Sequence, residues 1–249
     1  MDDQPSGSPA QTMRPEVAVF DRDATDNAGY LYTTGDKLSS RLATQRLHDL
    51  VTEAVVFRDR RIVDIGCGDG HFTSRFYREN KPAYIVGMDP SPKAVEVAQK
   101  NAVAGRIEFV VGDGHSLPWE KDSFDLALIQ GVLHHDDIPQ KTIAEALRVA
   151  PEVMILEPNG NNVILKVIEK TSRYHIEHHE RSYFPLQLVQ WIRQGGGTVT
   201  SMRFGGLVPM FCPDWMAKAT KAIEPGFERI PVLRSLGCAV VVLVAQRYG

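Results

Sequence analysis

Ile62-Val63-Asp64-Ile65-Gly66-Cys67-Gly68-Asp69-Gly70-His71 is the stretch that decides the fold of this chain. Ile62, Val63 and Ile65 are β-branched, as a central strand prefers. Gly66, Gly68 and Gly70 allow positive φ and leave no Cβ between the backbone and an approaching ligand. From His71 to Glu79 the apolar residues Phe72, Phe76 and Tyr77 follow helical spacing. The segment predicts a buried strand, a glycine turn and a helix, with backbone N–H groups of the turn open to a ligand.

Outward from this turn, a second strand, Tyr84 to Met88, ends in Asp89, 19 residues beyond Gly70. At about that spacing an acid closing the second strand of a nucleoside-binding unit accepts hydrogen bonds from ribose hydroxyls. Capping of the next helix, ahead of Pro90, is a second role open to Asp89. The turn reads G-x-G-x-G, not the dinucleotide G-x-G-x-x-G, and Asp64 and Asp69 stand beside it. Carboxylates there repel a pyrophosphate and attract an ammonium or sulfonium centre. The residues favour S-adenosylmethionine (SAM) over NAD, which leaves a nicotinamide-dependent oxidoreductase as the lesser alternative.

The alternation of strands and helices continues. Helices are expected at 36–57, 91–103, 138–149, 162–170 and 185–194, and strands at 61–65, 107–111, 124–129 and 153–156. Asp36 or Ser39 is the expected cap of the first helix. This rhythm implies an α/β fold with a parallel sheet buried on both faces, its ligand beyond the carboxyl ends of the strands. The last two strands are expected at 198–204 and 239–245. The connection between them, residues 205–237, is long and apolar, with Phe211, Trp215, Ile223, Phe227 and Leu233 among its side chains. Loops of that length are functional or disordered, and this one is too apolar for disorder. It is expected to form a helical cap over the active site or a dimer surface.

Four motifs in order resemble the class I SAM-dependent methyltransferases, most closely the small-molecule branch labelled type 11 or 25. The likeness covers residues 60–160 well and the rest loosely. It implies a Rossmann-like three-layer α/β/α sandwich with a seven-stranded, mostly parallel sheet, the last strand antiparallel and a helical cap before it. Asp64 to Gly70 resembles the first motif, which places Asp64, Gly66, Cys67 and Gly68 at the amino-acid part of SAM. Asp89, followed by Pro90, matches the ribose-binding acid. The segment Gly112-Asp113-Gly114-His115 resembles the loop whose Asp binds the adenine amino group, although Asp113 also fits an ordinary turn. Ser123 to Gln130, followed by Gly131-Val132-Leu133-His134-His135, resembles the fourth strand and its active-site end, with Gln130 and Gly131 on the cofactor side. The resemblance also implies S-adenosylhomocysteine as the product.

His134 and His135 are the candidate general bases, since imidazole titrates near working pH; packing or helix capping, with Asp136 and Asp137, is the plainer reading of His135. Glu157 and Asn159, at the end of the fifth strand, are expected to face the acceptor. Tyr30, Tyr32, His179, Tyr183 and Phe211 are further candidate acceptor contacts, and Tyr30 and Tyr32 fit core packing equally well. His175, Glu177, His178, His179 and Glu180 carry metal-ligand chemistry, but the segment reads better as a substrate-facing or solvated loop, and no metal is expected. Cys67 reads as a small packed residue, not a nucleophile.

The chain has 249 residues, enough for one α/β domain with an insertion, and 43% hydrophobic content to build its core. Residues 1–19 are polar and read as a disordered tail, with no signal peptide; residues 20–58 form a helical lead-in, and 20–249 the catalytic domain. A net charge of -3 argues against a nucleic-acid surface. Cys67, Cys212 and Cys238 form no disulfide framework or metal spacing, so a reduced, cytoplasmic protein is expected. No apolar run is long enough to span a bilayer. The partner expected is a small-molecule substrate, and the chain a monomer or homodimer. A non-catalytic SAM-binding or interaction protein is the main alternative function, because motifs alone do not show turnover.

Overall fold

Helix packing on both faces of one sheet organises the computed structural model, which describes residues 36–171 and 181–248. The strands are β1 (Arg61–Ile65), β2 (Tyr84–Asp89), β3 (Ile107–Val111), β4 (Leu126–Gln130), β5 (Glu152–Pro158), β6 (Gly197–Gly205) and β7 (Val240–Arg247). Their order is β3-β2-β1-β4-β5-β7-β6. The pairs from β3 through β5 are parallel, and β7 enters antiparallel between β5 and β6. Gly205 at the end of β6 pairs with Val240 at the start of β7. The connection between them therefore leaves and returns at the edge where the parallel strands end.

The helices are α1 (Leu38–Ala54), α2 (His71–Asn80), α3 (Pro92–Lys100), α4 (Pro139–Val149), α5 (Val163–Thr171), α6 (Pro185–Gln194), α7 (Asp214–Arg229) and α8 (Pro231–Gly237). Strand periodicity divides the core between the two faces. Ile62, Leu126 and Leu128 join Leu50 and Val51 of α1, Phe76 of α2 and Val95 of α3. Val63, Ile65, Ala127 and Ile129 join Ile143 and Leu147 of α4 and Leu188 and Ile192 of α6. On β1 this alternation puts Asp64 on the α1–α3 side, an odd place for a carboxylate unless it has work there.

The expected element order holds, with boundaries moved by a few residues. β4 begins at Leu126, not Phe124, because Phe124 N–H donates away from β1, to Val149 O, and only from Asp125, whose N–H donates to Arg61 O, does the chain turn to β1. Neither expected residue caps α1. Lys37 occupies the cap position without a side-chain bond, and the hydroxyls of Ser39 and Ser40 donate instead to Met210 O at 2.8 and 2.9 Å. The first turn of α1 thus holds the 206–213 segment. α7 docks beside it, where Arg46 grips Glu228 through two nitrogens, at 2.6 and 3.1 Å.

Two glycines are dictated by space. Gly66 has φ +76°, and a Cβ there would run into Val132 after β4. A Cβ on Gly87 would lie 2.6 Å from Phe109 and 2.9 Å from Cys67 Sγ. The glycine turn is therefore wedged between β2 and the segment after β4. Below it, the fully buried Phe76 stacks on Phe57 at 4.8 Å and on His48 at 5.1 Å. Phe76→Ala is expected to cost about 3–5 kcal/mol of stability, read by urea unfolding; a cost near zero would mean that α2 does not depend on this stack.

Candidate functional site

The glycine turn is fixed to β2 before any ligand arrives. Gly66 and Cys67 donate their N–H groups to Met88 O at 2.7 and 3.0 Å. Gly68 N–H donates to Asp89 Oδ2 at 2.9 Å, and Ser91 N–H to Asp89 Oδ1 at the same distance. The capping role open to Asp89 belongs instead to Ser91, whose hydroxyl accepts from Ala94 N–H at 3.0 Å. Pro90 is exposed between them.

Asp64 is buried, and its Oδ2 accepts the Thr73 hydroxyl at 2.5 Å. Burial pushes its carboxyl up to about 6, against hydrogen bonds from Thr73 and Gln130 that pull it down. The Cys67 thiol is raised well above its ordinary value by burial and by the carboxylates of Asp89, Asp64 and Asp69. That is the reverse of an activated nucleophile.

After β3, Asp113 turns its carboxylate onto its own loop, accepting His115 N–H at 2.9 Å. His115 is buried, with Nε2 2.6 Å from Asp136 Oδ1. Asp136 also accepts Ile138 N–H at 2.8 Å and the Thr142 hydroxyl at 2.6 Å. One carboxylate thus ties the Asp113–His115 loop, the segment after β4 and α4 together.

Beyond Gln130 and Gly131, Leu133–His135 make a single 3-10 turn. Glu157, at the end of β5, has no exposed surface. Its Oε1 accepts Val132 and Leu133 N–H at 2.9 and 2.8 Å. Its Oε2 accepts His134 N–H at 3.3 Å and lies 2.8 Å from His134 Nδ1. The His135 ring packs on His134, centroids 3.9 Å apart.

These bonds correct two expectations. Glu157 is enclosed and engaged with the His134 turn, so it does not face an acceptor. Asn159 is also fully buried: its amide donates to Ser235 O and Cys238 O at 2.9 and 3.0 Å, and its carbonyl accepts Asn161 N–H at 3.1 Å. It anchors the end of α8 to β5. Tyr183 bridges to Asn159 and sets its ring edge-on to Trp191 at 4.7 Å. Burial raises its hydroxyl pKa; Arg181 opposes this, and the carboxylates of Glu157, Asp136 and Asp137 add to it. Phe211 is 63% exposed on the segment that Ser39 and Ser40 hold. Tyr30, Tyr32, His179 and the remaining residues of the 175–180 cluster lie outside the described residues, as does the 1–19 tail. Among the described residues, no group of three or more His, Cys, Asp or Glu side chains is arranged to hold a metal ion.

Sequence reasoning misses Thr73, Asp136 as a junction and Thr142. Thr73 is within its reach: a hydroxyl at the start of α2 faces the β1 residue on the same side of the sheet. Asp136, by its place in the chain, suggests only a contact with α4. Glu157→Ala strands three backbone N–H groups and an imidazole, and is expected to cost about 2–4 kcal/mol. Glu157→Gln, which keeps shape and one acceptor oxygen, should cost less; equal losses in urea unfolding would show that the charge, not the hydrogen-bond count, holds this turn.

Comparison with known proteins adds to this geometry. Residues 57–198, more than half of the chain, match the family model described as "Methyltransferase domain". A phthiotriol/phenolphthiotriol dimycocerosates methyltransferase of Mycobacterium leprae is 31% identical over 102 residues, 41% of this chain and 36% of its own length. The mitochondrial ubiquinone biosynthesis O-methyltransferase of Schizosaccharomyces pombe is 32% identical over 150 residues, 55% of this chain and 49% of its own length. The chain thus spans less than half of either relative. Among solved structures, the [4+2]-cyclase SpnF superposes with a TM-score of 0.68 at 22% identity, over 97% of this chain and 99% of its own. At that identity the likeness is one of fold.

Proposed function

The chain belongs to the methyltransferase-domain family, and on that premise we propose that it transfers a methyl group from SAM to a small, largely apolar acceptor, with His134 as general base. One observation carries this reading: the glycine turn packs directly against the turn that presents His134, through Gly66 and Val132. A ligand held by the first is next to a base held by the second.

The residues present fit a SAM-type ligand. A buried carboxylate with a raised pKa, Asp64, suits an ammonium group. Gly66, Cys67 and Gly68 bring bare backbone to the amino-acid part. Asp89 ends β2 with its carboxylate against the glycine turn, accepting Gly68 N–H, the place from which an acid at the end of the second strand receives ribose hydroxyls. Asp113, Gly114 and His115, stapled by Asp136, form the adenine-side loop, and Gln130 and Gly131 complete the floor. When bound, SAM supplies an electrophilic methyl on a sulfonium centre.

The chain's own contribution is orientation and proton removal. With Nδ1–H directed at Glu157, the neutral His134 ring carries its basic lone pair on Nε2, so Glu157 sets the tautomer and acts through His134. His135 packs the ring in place. Tyr183 lies on the acceptor side, with Tyr30, Tyr32, His179 and Phe211 as further candidate contacts, and the 205–237 insertion closes that side. An apolar acceptor is supported by the relatives' names, a ubiquinone biosynthesis O-methyltransferase and a phthiotriol/phenolphthiotriol dimycocerosates methyltransferase, and by the composition of the insertion. A SAM-binding protein with another reaction is the second reading, since the same fold also serves a cyclase.

Two outcomes test the assignment. His134→Gln is expected to lower turnover by about 10²–10⁴ while S-adenosylhomocysteine affinity, measured by calorimetry, stays the same; unimpaired turnover would remove His134 as base. The second concerns pH. Because burial raises the Asp64 carboxyl to about 6, the folded chain prefers it neutral. That preference stabilises the fold fully below the ordinary carboxyl range and is lost as pH rises through about 6. A cationic amino group prefers the ionised form. S-adenosylhomocysteine affinity should therefore hold near pH 7 and fall below about pH 6, by up to roughly tenfold per pH unit. Asp64→Asn should weaken binding and flatten this dependence; a wild-type affinity flat down to about pH 5 would exclude Asp64 from the ammonium contact.

A further inference from the structure

The helices at the ligand edge of the sheet are built inside out in charge. Apart from Asp214, the acidic side chains of α5 and α7 point inward: Glu169 is bonded to Lys166, Glu224 to Lys221, and Glu228 to Arg46. Glu224 and Glu228 also accept the N–H groups of Leu207 and Gly206, at 3.0 and 2.9 Å. Outward, these two helices present Lys170, Lys218 and Arg229 as exposed charges against Asp214 alone. An edge with an exposed cationic excess thus stands on a chain of net charge -3.

The same outer faces are apolar. On α5, Val163, Ile164 and Val167 are 65, 70 and 56% exposed. On α7, Trp215 and Ile223 are 69 and 58% exposed, and on α8, Val232 and Leu236 are 65 and 51% exposed. Helical spacing puts Trp215, Lys218 and Arg229 on one stripe of α7, with Ile223 beside it on the same outer half, and Val163, Val167 and Lys170 on one stripe of α5. α8 packs against both helices, so these exposed side chains belong to one packed group of helices. Exposed apolar area of this extent marks an interaction surface.

We propose that this surface docks on an anionic lipid bilayer, lying in its headgroup boundary without crossing it. Lysine interleaved with large apolar side chains and a tryptophan fits an interfacial helix, whereas the core of a protein–protein interface is depleted in Lys. The inward pairing of the acids leaves nothing but Asp214 on the two helices to oppose a negative surface. No helix among the described residues is long and apolar enough to cross a membrane. The inference deepens the proposed function and rests on it for its purpose: α5 follows directly on the β5 end that holds His134, so an apolar acceptor would reach the base from the bilayer side.

The test is co-sedimentation of the full chain with sucrose-loaded vesicles of phosphatidylcholine alone or mixed with phosphatidylglycerol. The expected result is binding to the mixed vesicles, weakened by salt and weak on the neutral ones. Lys218→Glu should reduce binding roughly tenfold or more, and Ile223→Glu and Val232→Glu should each reduce it, with melting temperature and S-adenosylhomocysteine affinity unchanged. Absence of binding to the mixed vesicles overturns the proposal, as does binding that survives all three substitutions. A dimer that Ile223→Glu dissociates, with no vesicle binding, overturns it too and assigns the face to a second copy of the chain. S-adenosylhomocysteine affinity reports on the methyltransferase reading separately, so failure of one is not failure of the other.

Discussion

A single enclosed carboxylate, that of Glu157, holds the functional end of the sheet together. β5 delivers it fully buried into the turn after β4, where it collects three consecutive backbone N–H groups and the His134 imidazole. Buried N–H groups require partners, and a buried carboxylate requires donors; here each meets the other's need. Val132, fixed by this bond, is also what Gly66 must accommodate. The geometry of the glycine turn and that of the candidate base are consequently one constraint.

Asp136 has a similar role in the neighbouring loop, joining His115 to Thr142. Between them, the two acids make the loops after β3 and β4 extensions of the rigid sheet. Asp64 differs: its burial is not fully offset, as its raised carboxyl pKa shows. That residual cost is what a cationic group would relieve, which makes Asp64 the residue in this cluster whose environment is least satisfied by the chain itself.

The insertion between β6 and β7 follows from topology. Because β7 returns antiparallel beside β5, the connection must stay at the carboxyl edge of the parallel strands, and several of its polar anchors reach back to elements earlier in the chain. Ser39 and Ser40 hold its start, Arg46 its long helix, and Asn159 its end. On its long helix the side chains turned inward include Ala217 and Glu224, and those left exposed include Trp215, Lys218 and Ile223. That reversal of the usual pattern makes this edge a docking surface in our reading.

Strand and helix identity was legible in the sequence because periodicity is local: the β-branched Ile62, Val63, Ile65, Ile85 and Val86 and the glycines at 66, 68 and 70 need no distant partner to state their preference. The order of motifs likewise implied the sheet and the ligand edge. What local pattern does not carry is the partner of a buried polar group. Ser39 looked like a helix cap, and Asn159 and Glu157 looked like acceptor contacts, since each type and position suits that role. Their bonds run to Met210, Ser235 and the His134 turn, tens of residues away. Hydrogen bonds across such separations exist only once the chain has folded, so tertiary structure alone decided which polar side chains build the site and which remain to act in it.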